Sequence, residues 1–350
     1  MRLESCPLVS AALPPPCRPM SLIAQVTSYP YGLSSPDPVR LLEDAGFEVR
    51  LSPHQRKHTS AETAALLGDV DVLIAGTEPL PAEVLAAGLP RLKHVARVGV
   101  GLDGLDVAFC QVNGIAVTYT PDAPARSVVE QVFGLLICLG RRFIEAHEGM
   151  RRGEWNRLTG TLFTGKTLGI LGCGRIGRQV AEIARAFRMQ VIAHDIVEDA
   201  AWAAAHGVRY VDLDTLLRES CALTVHLPLT ARTENILGAA QLRLLPEGAY
   251  LLNTCRGEVL DEQALHQALV DGHLGGAALD VYRKEPYRGP LAQLPNVILC
   301  CHQGSCSHDG RYAMEMGSAE NTVAFLRGDP ISPERIVWLP GMKAPAVEMR

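Results

Sequence analysis

Several things are scarce in this 350-residue chain. Aromatic side chains make up 5% and charged ones 20%. No apolar run approaches the roughly 18 residues that cross a bilayer, so no membrane partner is expected. No cluster of Lys or Arg stands out, and the net charge is −5, so nothing points to nucleic acid. The 10 cysteines are scattered. None forms a C-x-x-C pair or a Cys/His zinc spacing, so no metal is expected, and the thiols read as reduced in a cytoplasmic protein. Residues 1–19 lack periodicity. Glu4, Pro7 and Pro14-Pro15-Pro16 interrupt what would otherwise resemble a signal peptide, and the segment is expected to be a disordered extension with Met20 opening the folded part. A chain of this length suggests two domains.

What is present is a regular alternation of short apolar strands and helical patterns, the mark of parallel sheets covered on both faces. In the first third, strands are expected at Ser21–Val26, Phe47–Leu51, Val70–Ala75, Leu92–Val98 and Ile115–Tyr119. A single long helix is expected from Ser127 to about Met150, apolar nearly all round and therefore buried, connecting the first domain to the second.

The second half is organised around Leu168-Gly169-Ile170-Leu171-Gly172-Cys173-Gly174-Arg175-Ile176-Gly177. A strand runs into Gly172-x-Gly174-x-x-Gly177, a helix opens at once, and a second strand, Gln190–His194, ends at Asp195, eighteen residues past Gly177. A glycine pattern alone is a weak signal; strand, turn, helix, strand and spaced acid together indicate a dinucleotide site. Gly172 permits the turn, Gly174 lets backbone approach a pyrophosphate, and Gly177 lets the helix pack on the sheet. The helix N-terminus, at Arg175 and Ile176, offers N–H groups and a positive dipole end to the phosphates. Asp195 would accept from the ribose diol and repel a 2′-phosphate, which favours NAD over NADP. A methyltransferase shares such a turn but has no use for the polar residues found downstream.

Three of those residues fall just past strand ends, where open α/β sheets bind ligands: Arg256, Glu285 and His302. Singly each has an ordinary structural explanation. Together they suit hydride transfer to a carbonyl beside a carboxylate. The guanidinium forks to the carboxylate, the imidazole carries the proton, and the acid holds the imidazole.

The motifs Arg97-Val98-Gly99-Val100-Gly101-Leu102-Asp103, Gly172-x-Gly174-x-x-Gly177, His226-Leu227-Pro228-Leu229-Thr230, Asn253-Thr254-Cys255-Arg256-Gly257, Asp280-Val281-x-x-x-Glu285-Pro286 and His302-Gln303-Gly304-Ser305 resemble those of the D-isomer-specific 2-hydroxyacid dehydrogenases, over residues 20–330. The resemblance implies that Arg256, Glu285 and His302 are catalytic. It also implies that Val100 and Gly101 donate N–H bonds to the substrate carboxylate, that Asp280 contacts the nicotinamide carboxamide, and that the His226–Pro228 loop and Thr254 line the cofactor. It implies two doubly wound domains, a Rossmann domain (125–305) inserted into a flavodoxin-like substrate domain (20–124 plus 306–330), with 331–350 a tail. A homodimer, an NAD cofactor and a small D-2-hydroxy or 2-keto acid follow, including 3-phosphoglycerate or a related anionic acid. A non-catalytic NAD(H)-sensing corepressor of the same fold is the alternative. Arg97 either receives a second anionic group of the substrate or pairs with a local acid such as Asp103. Cys300-Cys301 and Cys255 depart from the family pattern beside two of the catalytic positions.

Overall fold

The computed structural model describes residues 21–342. The expected extension at 1–19 and the end of the tail lie outside them. The first sheet contains β1 (Leu22–Val26), β2 (Phe47–Arg50), β3 (Val72–Ala75), β4 (His94–Arg97) and β5 (Ala116–Thr118). The second contains β6 (Thr167–Leu171), β7 (Gln190–His194), β8 (Val208–Tyr210), β9 (Ala222–Val225), β10 (Ala249–Asn253), β11 (Leu274–Leu279) and β12 (Val297–Leu299). A last strand, β13 (Ile336–Trp338), returns to the first sheet.

The first sheet runs β13-β5-β4-β3-β1-β2. Its parallel part is a flavodoxin-like order, reversing between β1 and β3. The second runs β12-β11-β10-β9-β6-β7-β8, the Rossmann order with one added edge strand, reversing between β6 and β9. Ile23, Leu73, Ile74, Val95, Ile170, Leu171, Leu223 and Leu251 are each at most 5% exposed, because such strands bury both faces under helices.

Two expectations change. The long connector is broken. One helix, Ala125–Gly140, ends at Arg141–Arg142, and a second, Phe143–Arg151, starts there, with Arg142 at φ +53. Val128, Val132, Leu136 and Leu139 of the first helix sit in one core with Leu168, Ile170, Leu252 and Ala278, whereas Phe143, Ile144 and Met150 of the second are exposed. Burial therefore belongs to the first helix alone, and the apolar surround ends where the core ends. The expected tail is also not all tail: Ile336 and Trp338 pair antiparallel with Thr118 and Val117, and Trp338 is buried. A three-residue strand carries too little periodicity to be seen in sequence.

Candidate active site

The glycine motif takes the form its spacing predicts. Gly172 has φ +96, and a Cβ there would lie 2.6 Å from the carbonyl oxygen of His226. A side chain at Gly177 would collide with the Gly172 carbonyl, so the helix Arg175–Ala186 packs against the turn only because that position is bare. Above Gly174 nothing lies within 4 Å of an added Cβ. No side chain caps the N-terminus of the helix, so its first-turn N–H groups face that open cradle and fit a pyrophosphate. Ile176 packs into the core. Arg175 projects outward and pairs with Asp122, 2.9 Å away in the segment joining the two sheets.

Asp195 stands at the end of β7 beside the turn. It accepts from the Cys173 N–H (2.7 Å) and the Val197 N–H (3.0 Å), which fixes the carboxylate against the motif. The half-buried His226 ring shares a hydrogen with Thr224 Oγ1 (3.0 Å) and leaves Nδ1, itself buried, without a partner. Burial pushes its pKa down to about 3, so it is neutral. Pro228 is exposed on the following loop, where its carbonyl accepts from Thr233. Thr254 Oγ1 is buried and unpartnered. An orphaned hydroxyl just past the end of β10 fits a bound cofactor, since buried polar groups otherwise find partners.

The expected catalytic residues follow three adjacent strands, β10, β11 and β12. His302 Nδ1 lies 3.1 Å from both carboxylate oxygens of Glu285. Burial would raise the Glu285 pKa, but the hydrogen bond and charge of His302 outweigh it and hold the carboxyl below its usual range. Nε2 of His302 has no hydrogen bond among the described residues. The His302 backbone is at φ +55, a left-handed conformation that few non-glycine residues adopt. It is imposed by Asp280: the Asp280 carbonyl accepts from the His302 N–H (2.8 Å), and its carboxylate accepts from Gln303 N–H (2.9 Å) and Gly304 N–H (2.8 Å). Asp280 is 1% exposed, and in this structure its carboxylate is engaged by the loop that carries His302.

Arg256 reaches across to the first sheet. Its Nε and Nη2 fork to Asp103 at 2.8 and 2.7 Å, and Nη1 donates to the Cys255 carbonyl at 2.6 Å. Burial lowers the guanidinium pKa, but the Asp103 bond and charge more than restore it, and Asp103 is held below its ordinary range in return. A Cβ on Gly101 would collide with Arg256 Nη2, so only glycine lets the guanidinium lie on that loop. The N–H groups of Val100 and Gly101 make no hydrogen bond among the described residues and are available to an anion. Asn253 braces the turn, donating to the Arg256 carbonyl (2.8 Å) and accepting from the Cys255 N–H (3.1 Å). The Cys255 thiol is pushed up to about 11 by burial and is inert as a nucleophile.

Asp103 is the functional neighbour that sequence reasoning assigned elsewhere. It pairs with Arg256, whereas Arg97 donates from Nε to the Gly101 carbonyl at 2.9 Å and is 4% exposed. The signal was the acid two residues after Gly101, but which arginine it meets depends on how the two sheets face each other.

Residues 133–304 match the model of the D-isomer specific 2-hydroxyacid dehydrogenase NAD-binding domain. The chain is 40% identical over 270 residues to a glyoxylate reductase of Korarchaeum cryptofilum, covering 75% of this chain and 81% of that one. It is 36% identical over 310 residues to a D-3-phosphoglycerate dehydrogenase of Methanocaldococcus jannaschii, covering 87% and 58%. A D-lactate dehydrogenase of Aquifex aeolicus, solved with NAD and lactic acid, superposes with a TM-score of 0.78 at 25% identity over 88% of this chain and 96% of that one. The relatives are named as enzymes, and the sensor alternative gains no support from them. With a Rossmann sheet, a bare glycine cradle and an imidazole–carboxylate pair at the ends of adjoining strands, the chain belongs to the D-isomer-specific 2-hydroxyacid dehydrogenases, oxidoreductases that act on CH–OH donors with a nicotinamide dinucleotide.

Proposed function

We propose that this enzyme interconverts a small 2-oxo acid and its D-2-hydroxy acid, with NAD(H) preferred over NADP(H). The observation that carries the reading is the His302–Glu285 pair at 3.1 Å on the loop after β12. The nicotinamide, when bound, supplies or accepts the hydride. The rest is the work of the chain. Arg256 and the N–H groups of Val100 and Gly101 hold the substrate carboxylate and polarise the carbonyl oxygen. Glu285 accepts the hydrogen bond of His302 Nδ1–H, which fixes the ring, so that Nε2 of the imidazolium gives a proton to that oxygen in reduction and Nε2 of the neutral ring removes it in oxidation. Asp280 sets the direction of the imidazole through the backbone, and Asp103 aims Arg256. The cofactor would be held by Gly172, Gly174, Gly177 and the first turn at Arg175 and Ile176. Asp195 would meet the ribose, and His226, Pro228 and Thr254 would border the nicotinamide end.

The substrate domain would comprise 20–124 plus the segment from 306 through β13, and the cofactor domain 125–305. Eight free thiols among the described residues support a reducing, cytoplasmic setting. The names of the relatives favour glyoxylate or a similar short acid. The test is NADH oxidation with a panel of 2-oxo acids. Turnover is expected, with kcat lowered by about a hundredfold or more in His302→Ala. Equal NADH consumption by wild type and variant removes His302 as proton donor.

A further inference from the structure

The first sheet reverses between β1 and β3, and ligands of open α/β sheets lie beyond such a reversal. A buried polar pair occupies that position. Glu78, three residues past β3, is 1% exposed, and Thr27, directly after β1, is also 1% exposed. Glu78 Oε1 accepts from the Thr27 hydroxyl and from the Gly76 N–H at 3.0 Å. Its Oε2 takes no hydrogen bond among the described residues. Beside it stands Arg97, also buried, with Nε committed to the Gly101 carbonyl and Nη1 unpartnered. The charges of Glu78 and Asp103 both act on Arg97. This is a built site with an unpartnered carboxylate oxygen and an unpartnered guanidinium end, next to the loop expected to hold the substrate carboxylate. Leaving a buried charged donor unsatisfied is costly, so the place is shaped for a further polar group.

We propose that Glu78 and Arg97 form the subsite for the third carbon of the substrate, and that they select a hydroxyl there over a methyl or an anion. The proposal rests on the 2-oxo acid reading above. A hydroxyl accepts from the Arg97 guanidinium and donates to Glu78 Oε2, and so satisfies both. A methyl satisfies neither, and the buried pair is left unmatched. A phosphate or second carboxylate would have to sit against the Glu78 carboxylate, whose charge acts on Arg97 together with that of Asp103. Arg97 is thus no free receiver for a phosphate, although its charge alone suggests one.

The experiment compares kcat/KM at saturating NADH for hydroxypyruvate, pyruvate, phosphohydroxypyruvate and oxaloacetate. For the wild type, hydroxypyruvate is expected to exceed pyruvate by about tenfold or more, the worth of one charged hydrogen bond, and to exceed both dianionic acids by more. In Glu78→Gln, which keeps the size of the side chain and removes its charge, the preference for hydroxypyruvate over phosphohydroxypyruvate is expected to shrink by about tenfold. Folding of the variant is checked by thermal melting, and the wild-type panel decides the matter without it. Pyruvate turned over as well as hydroxypyruvate, or a dianionic acid preferred, overturns the subsite while the dehydrogenase reading stands. Consumption of no 2-oxo acid at all overturns both.

Discussion

At the residue scale, the site depends on pairs in which one member fixes the other. Glu285 fixes His302, Asp103 fixes Arg256, and Asp195 is itself fixed by two backbone N–H groups before any cofactor arrives. The last case makes Asp195 a preorganised carboxylate with little freedom to turn away from a 2′-phosphate. Asp195→Ala is expected to reduce the preference for NADH over NADPH by about tenfold or more in kcat/KM. Unchanged discrimination in steady-state kinetics would remove Asp195 from that role. The types of these residues were readable from the chain, because their chemistry and their positions after strands were visible. Their partners were not. Asp103 and Arg256 are far apart in sequence and belong to different sheets, so no spacing rule links them.

At the scale of elements, the strand ends and the loops after them do the positioning. Directly after β11 stands Asp280, which ties down the loop after β12 with three hydrogen bonds, two through its carboxylate. Asp280→Asn puts an amide N–H against one of those backbone donors. The expected result is a lower kcat with a smaller change in KM and a loss of about 2 kcal/mol in stability, measured by kinetics and urea unfolding. A variant with wild-type stability and kcat would show that the loop holds its shape unaided. Elements with strong periodicity, such as β6, the helix Arg175–Ala186 and β7, were legible, because an amphipathic stripe or a buried apolar run is written locally. The break at Arg141–Arg142 and the strand β13 were not. The first depends on where the core stops, and the second on an edge offered by β5.

At the scale of the whole molecule, two properties emerge that no single element carries. Buried neutral histidines make the fold sensitive to acid. Burial pushes His94, which shares a hydrogen with Thr118 and stacks on Phe325, down to about 3, as it does His226. In the unfolded chain both titrate near the ordinary imidazole value of 6.5. The unfolded state therefore binds more protons below that pH, and stability is fully present above it and falls as the medium is acidified. Each histidine contributes a slope of about 1.4 kcal/mol per pH unit through this window. Urea midpoints taken from about pH 7 to pH 4 are expected to fall accordingly, and less steeply in His94→Gln. Parallel slopes in wild type and variant would mean that His94 is not the source. We propose association as the second. Phe143, Ile144, Met150, Trp155 and Leu162 are exposed around the second connector helix, an apolar area suited to a partner copy. A homodimer is expected by sedimentation, shifted toward monomer in Ile144→Glu. A wild-type monomer at micromolar concentration would count against it.

By itself the sequence determined the fold class, the dinucleotide turn and the chemical types at the candidate catalytic positions. Each of these is set by local pattern: glycines where backbone must turn or be approached, apolar runs where a strand is buried, and polar residues just past them. The tertiary structure alone decided which charges meet. Arg97 lies beneath the Gly101 loop, Arg256 takes Asp103, and Glu78 closes the reversal of the first sheet beside Thr27. Those pairings arise from the order of strands and the facing of two sheets, and electrostatic partnership depends on distance in space rather than along the chain.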